Sequence, residues 1–248
     1  TFAAFLLFSY PATALITKVG YKKTMVLSFA IFALGFLLFV PSAKLQSLPL
    51  FMIASFICGI GNTVLQAAIN PYATYLGPID TAARRISIMG ICNIIAWPAS
   101  PMFLAWLIGK NLDEMVLSDI IFPFYVLTAI FVLLGVLVWV SPLKEMAFGE
   151  QEEEAEDASE AEGKTSIFQF PHLILGAIAL FMYVGVETVA MASSVDYAAS
   201  LSIPDPERFA FVPSVGMILG YIFGVIMIPK YLSQSGALRL HSWIAIVG

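Results

Sequence analysis

The stretch QAAINPYATYLGPIDTAARR, Gln66–Arg85, decides how this chain is read. It closes an apolar run that opens near Leu48, yet it places Gln66 and Asn70 inside that run. It then turns through Gly77-Pro78 to two adjacent arginines, Arg84 and Arg85. Amides within an apolar helix, a helix-ending Gly-Pro and a basic exit describe a helix leaving a lipid bilayer.

Composition points the same way. Of 248 residues, 60% are hydrophobic and 12% are charged, about half the charged fraction of a typical soluble domain. The apolar residues fall into blocks near 2–17, 24–42, 48–76, 86–109, 120–141, 170–193 and 209–229, with another opening at about 240. Each complete block fits the ~17–25 residues a helix needs to cross the hydrocarbon, and most lack the polar face of a soluble bundle helix. The expectation is an all-α, multi-pass protein of the cell's inner (plasma) membrane, with the lipid bilayer as its surroundings. The chain opens inside an apolar run without Met or a basic leader and closes inside another at Gly248. It is therefore expected to be an internal piece of a longer protein.

Basic residues set the orientation. Alternate connections carry Lys18, Lys22 and Lys23, then Arg84 and Arg85, then Lys144 and Lys164, then Lys230 and Arg239. The other side holds only Lys44, Lys110 and Arg208. The positive-inside rule puts the larger group in the cytoplasm. The net charge of −5 comes from residues 145–164, which hold nine acids and one Lys. Without them the balance is positive, so no nucleic-acid or acidic-substrate partner follows from the total. Cys58 and Cys92 lie within spans and form neither a CxxC pair nor a metal-ligand spacing. No metal or organic cofactor is expected.

The acidic segment also divides the chain. Residues 144–169 are rich in Glu and Ala and hold no apolar face, which predicts a solvated cytoplasmic linker. It separates residues 1–143, part of a first helical half, from 170–248, the start of a second. A weak repeat supports two halves: LITKVGYKKTMVLSFA (Leu15–Ala30) and YLSQSGALRLHSWIAI (Tyr231–Ile246) both run from helix end through Gly and a basic residue into a new helix.

Polar residues inside the spans are the candidate site. Asn62, Gln66 and Asn70 recur at i, i+4 and i+8, on one helix face together with Gly59. Such a stripe lines an aqueous cavity or makes hydrogen bonds between helices. In the following span Gly90, Asn93 and Trp97 share a face; an amide beside an aromatic ring suits a sugar, although core packing is the commoner role for Trp. Glu187 is the one acid placed deep in a span, and Asp196 lies nearer the end of the same helix. A central carboxylate costs roughly 2.5–3.5 kcal/mol on insertion scales, so it requires a partner, a cation or a proton. Tyr183, Glu187, Met191 and Ser194 fall on one face. They read as a substrate or coupling-ion site, or as a paired structural acid. Enzyme readings find little: His172 and His241 lie near span ends, and no GxSxG, GxGxxG or P-loop occurs.

The combination AAINPYATYLGP, AARRISI followed by Asn93, and YVGVET resembles the fucose–galactose–glucose symporter family of the major facilitator superfamily. The resemblance covers essentially the whole chain, as helices two to nine of twelve. ITKVGYKK resembles a degenerate form of the superfamily's loop motif, with Thr17 where Asp usually stands. The resemblance implies two six-helix halves, alternating access, and cation-coupled monosaccharide transport by a monomer. It implies a cavity lined by the full protein's fourth, fifth and seventh helices. Asn62, Gln66, Asn70, Asn93, Trp97 and Tyr183 are then expected at the sugar, and Glu187 at the coupling ion, H⁺ or Na⁺. The family's fucose transporters carry a Glu where Gln66 stands, a Gln where Gly90 stands, and an amide where Glu187 stands. The titratable group is thus expected to have moved from one half to the other. A membrane-embedded enzyme and a drug-efflux member of the superfamily are the competing readings.

Overall fold

The computed structural model describes residues 2–109, 116–145, 170–203, 211–228 and 230–247, and among them there is no strand. In chain order the helices are α1 (Phe2–Val19), α2 (Tyr21–Lys44), α3 (Leu48–Tyr75), α4 (Ala82–Ile108), α5 (Ile121–Val140), α6 (Pro171–Ser200), α7 (Phe211–Met227) and α8 (Gln234–Val247). A short 3₁₀ turn, Ile79–Thr81, leads into α4. Among the described residues, α2, α3, α5 and the Leu173–Ala190 part of α6 are long and apolar enough to cross a membrane. Ala3–Val19 and Val212–Met227 are shorter apolar helices.

Several helices outrun the apolar blocks that predict them. Helix α4 starts four residues before the expected 86 and takes in both arginines; α6 continues to Ser200, and α8 starts at Gln234. Backbone hydrogen bonding needs no apolar side chain, so a helix runs on until a cap stops it. At α8 the cap is Ser233, whose hydroxyl accepts the Gly236 N–H at 3.1 Å.

The helices group into two compact units, one of residues 1–86 and 95–150, the other of 87–94 and 151–248. The first unit is held where α1, α2, α3 and α5 meet. Ile16, Tyr21, Met25, Ala68 and Tyr72 are buried together, with Leu65, Val138 and Leu143 against them. Lipid is as apolar as leucine, so close approach and ring packing hold membrane helices together rather than water exclusion. Both are present. A Cβ on Gly35 would come within 2.5 Å of Cys58 Sγ, and one on Gly61 within 3.1 Å of Phe32. Between α2 and α5, Phe32 stacks on Phe131 at 4.7 Å and Phe39 on Phe124 at 4.7 Å. Buried hydroxyls bond back along their own helices: Thr24 donates to Gly20 O at 2.6 Å and Thr63 to Gly59 O at 2.8 Å.

One end of this unit gathers the basic residues. Lys22 Nζ donates to Ser141 O at 2.8 Å, and the Tyr72 hydroxyl donates to Lys144 O at 3.2 Å. The α1–α2 turn and the C-terminal ends of α3 and α5 therefore lie together, as the grouping of Lys18, Lys22, Lys23 and Lys144 requires.

Arg85 closes the α3–α4 turn. Its Nε donates to Ala73 O at 2.7 Å, and its two terminal nitrogens reach the carbonyls of Thr74, Gly77 and Pro78 and the Thr81 hydroxyl. These are the carbonyls a helix end leaves unpaired. Arg84, its neighbour, is exposed.

Candidate functional site

The amide stripe of α3 belongs to the first unit. Buried residues of that helix fall on two faces: Ala54, Gly61, Val64, Ala68 and Tyr72 on one, and Gly59, Thr63 and Ala73 on the other. Asn62, Gln66 and Asn70 are each offset by two residues from Val64, Ala68 and Tyr72, about 200° around the helix. They lie on the second face, among Gly59, Thr63 and Ala73. Asn62 and Gln66 are half-buried and Asn70 is exposed. Asn70 Nδ2 donates to Gln66 Oε1 at 3.1 Å. An amide pair in this arrangement keeps a free donor and a free acceptor for a polar solute. Gly61 of α3 lies close against Phe32 of α2.

The second unit holds Asn93, Tyr183 and Glu187. Along the described side chains from Leu173 to Ala190, every residue is exposed except Glu187, which is half-buried. Phe181 at 77% and Val186 at 71% show how fully the apolar faces of this helix lie open. The Tyr183 and Glu187 side chains, one turn apart, are joined by a hydrogen bond. A second tyrosine, Tyr221 of α7, interacts electrostatically with the same carboxylate. Sequence reading passes over Tyr221, because one Tyr in an apolar helix looks like any other aromatic. Ser194 is half-buried, while Asp196 is exposed. The side chains of Trp97, Met191 and His172 lie outside the described residues.

Helix α4 reaches α7 through small residues. A Cβ on Gly224 would lie 3.0 Å from Ser87 Oγ. One turn on, a Cβ on Gly90 would lie 2.5 Å from Cζ of Tyr221 and 2.6 Å from its Cε1. The hydroxyl-bearing end of the Tyr221 ring thus rests on the bare backbone of Gly90. Asn93 follows three residues later on that face and is exposed. The structure therefore brings Tyr183, Tyr221 and Glu187 together, and it joins Gln66 to Asn70 in the other unit.

The description Major Facilitator Superfamily fits residues 1–246 of the chain. The glucose/galactose transporter of Brucella abortus is 31% identical over 99% of this chain and 60% of its own length. The L-fucose-proton symporter of Escherichia coli is 25% identical over 76% of this chain and 47% of its own length. The putative glucose/galactose transporter of Helicobacter pylori is 32% identical over 72% and 44%. Among solved structures, the Escherichia coli fucose:proton symporter superimposes with a TM-score of 0.67 at 22% identity, covering 90% of this chain and 60% of that one. A structure in the outward conformation gives 0.69 over 89% and 58%. The chain spans about 60% of the length of the Brucella relative.

Proposed function

The chain belongs to the Major Facilitator Superfamily, and from that premise we propose that it forms part of a secondary active transporter for a monosaccharide: glucose, galactose or fucose. It is a multi-pass membrane protein, and the inner (plasma) membrane is the proposed location. Transport proceeds by alternating access between two halves, residues 1–143 and 170–248, joined by the acidic linker 144–169. A monomer is the proposed working unit.

One observation carries the reading. In an apolar helix whose faces are otherwise exposed, the only half-buried side chain from Leu173 to Ala190 is a carboxylate, and it is tied to a tyrosine. An acid at that depth is costly, and a transporter uses such a group to take up and release a cation each cycle. Glu187 is the proposed coupling group. A proton or Na⁺ both fit, since a carboxylate with nearby hydroxyls supplies hard oxygen donors as well as a titratable site. The α3 amides, Asn93 and Trp97 are the proposed sugar contacts, and Tyr183 serves both roles. The names of the relatives, glucose/galactose transporter and L-fucose-proton symporter, support this substrate class.

The linked amides of Gln66 and Asn70 favour a polar solute over the apolar cargo of an efflux pump. The test is uptake of a radiolabelled sugar panel into vesicles containing the full-length protein. Accumulation of one hexose or deoxyhexose above empty vesicles is expected; no accumulation of any sugar ends the proposal.

A further inference from the structure

Gly90, Tyr221 and Glu187 come from three different helices of one unit, α4, α7 and α6. The tip of the Tyr221 ring rests where a side chain on Gly90 would be, and the ring is half-buried. Helices α4 and α7 also meet one turn away, at Ser87 and Gly224. Tyr221 interacts electrostatically with Glu187, which is hydrogen-bonded to Tyr183.

We propose that Tyr221 is a positioning residue that links the coupling carboxylate to the sugar-facing side of α4. The inference rests on the reading of Glu187 as the coupling group. An ionised carboxylate accepts hydrogen bonds at about four lone-pair sites, whereas its protonated form accepts fewer and donates one. Tyr221 interacts electrostatically with the Glu187 carboxylate, and the interaction changes when Glu187 is neutralised by a proton or a cation. Because its ring lies on Gly90, a change of state at Glu187 is felt at α4. Asn93 follows one turn further along that face. Glycine is needed at position 90 because any Cβ would displace the ring.

The test compares concentrative uptake with sugar counterflow, in proteoliposomes of the full-length protein, for Tyr221→Phe, Gly90→Ala and Glu187→Gln. Counterflow needs sugar binding and alternating access but no net cation movement. Tyr221→Phe keeps the ring on Gly90 and removes only the hydroxyl. It is expected to lower the accumulation ratio severalfold, with the counterflow KM unchanged. Gly90→Ala is expected to do the same by pushing the ring aside. Because that variant can also disturb packing, Gly90→Ala combined with Tyr221→Ala removes the crowding, and the pair should match Tyr221→Ala alone. If Tyr221→Phe accumulates sugar like wild type while Glu187→Gln does not, Tyr221 only packs and the inference is overturned. Equal losses of accumulation and counterflow in Tyr221→Phe overturn it too. If Glu187→Gln itself accumulates like wild type, the reading of Glu187 falls, and this inference falls with it.

Discussion

The Glu145 carboxylate accepts a hydrogen bond from the backbone N–H of Lys22 at 3.1 Å, across 123 residues of chain. It sits at the N-terminus of α2, where unpaired N–H groups and the helix dipole favour negative charge. Gly20, with φ at +85°, makes the room: a Cβ there would collide with Glu145 Oε1. The α1–α2 turn and the start of the acidic segment are thus fastened to each other, while residues 146–169 lie outside the described part of the structure.

Gly20→Ala is expected to lower stability by about 1–3 kcal/mol, because a left-handed backbone conformation is strained for alanine. Glu145→Ala loses the capping carboxylate and should cost about 1 kcal/mol. The two changes remove one shared contact, so the double variant should be less destabilised than the sum. Thermal unfolding in detergent measures all three; strict additivity counts against the contact.

Arg85 and Arg84 should behave differently. Arg85→Lys replaces a planar fork that serves five backbone carbonyl and hydroxyl oxygens of the turn with a point charge. A loss of about 1.5–3 kcal/mol is expected, the range for hydrogen bonds to charged groups. Arg84→Lys keeps a positive charge at an exposed position and should be silent. Melting temperatures of the two variants, measured side by side, check this.

The amide pair of α3 is proposed to contact the sugar. Gln66→Ala and Asn70→Ala should each raise the KM for sugar about tenfold, the equivalent of roughly 1.4 kcal/mol. Melting temperature should stay near wild type, since Asn70 is exposed and Gln66 only half-buried. A large drop in melting temperature with unchanged KM would assign the stripe to helix packing.

Glu187→Gln should uncouple transport, abolishing concentrative uptake while sparing sugar binding and counterflow. Repeating the assay with and without Na⁺, and across a pH step, tells the two ions apart. Wild-type accumulation in this variant makes Glu187 a structural residue.

Deleting residues 150–163 should leave transport largely intact at normal expression. This run holds Glu, Gln, Asp, Ser, Ala and Gly without an aromatic or large apolar side chain, so it has nothing with which to pack against the helices. Lost transport at wild-type expression would contradict this.

Much of this protein was legible without coordinates. Blocks of apolar residues located helices α1 to α7, because hydrocarbon leaves a spanning backbone no partner but itself, and the run opening near 240 marked α8. The same cost made Glu187, Gln66 and Asn70 conspicuous: a polar group in an apolar run announces itself by type alone. Basic residues likewise announced which connections share a side, and α2, α3 and α5 meet at that end. What stayed hidden depends on neighbours far apart in the chain. Gly90 reads as one more small residue until α7 lays a tyrosine ring on it, and Tyr221 reads as one more aromatic until α6 brings a carboxylate beside it. Arg84 and Arg85 are indistinguishable by type, yet the turn carries only Arg85 onto the α3 carbonyls. Periodicity states which residues share a face of one helix; which face meets which neighbour is settled by side-chain volume and hydrogen bonding between helices, and only the tertiary structure decides that.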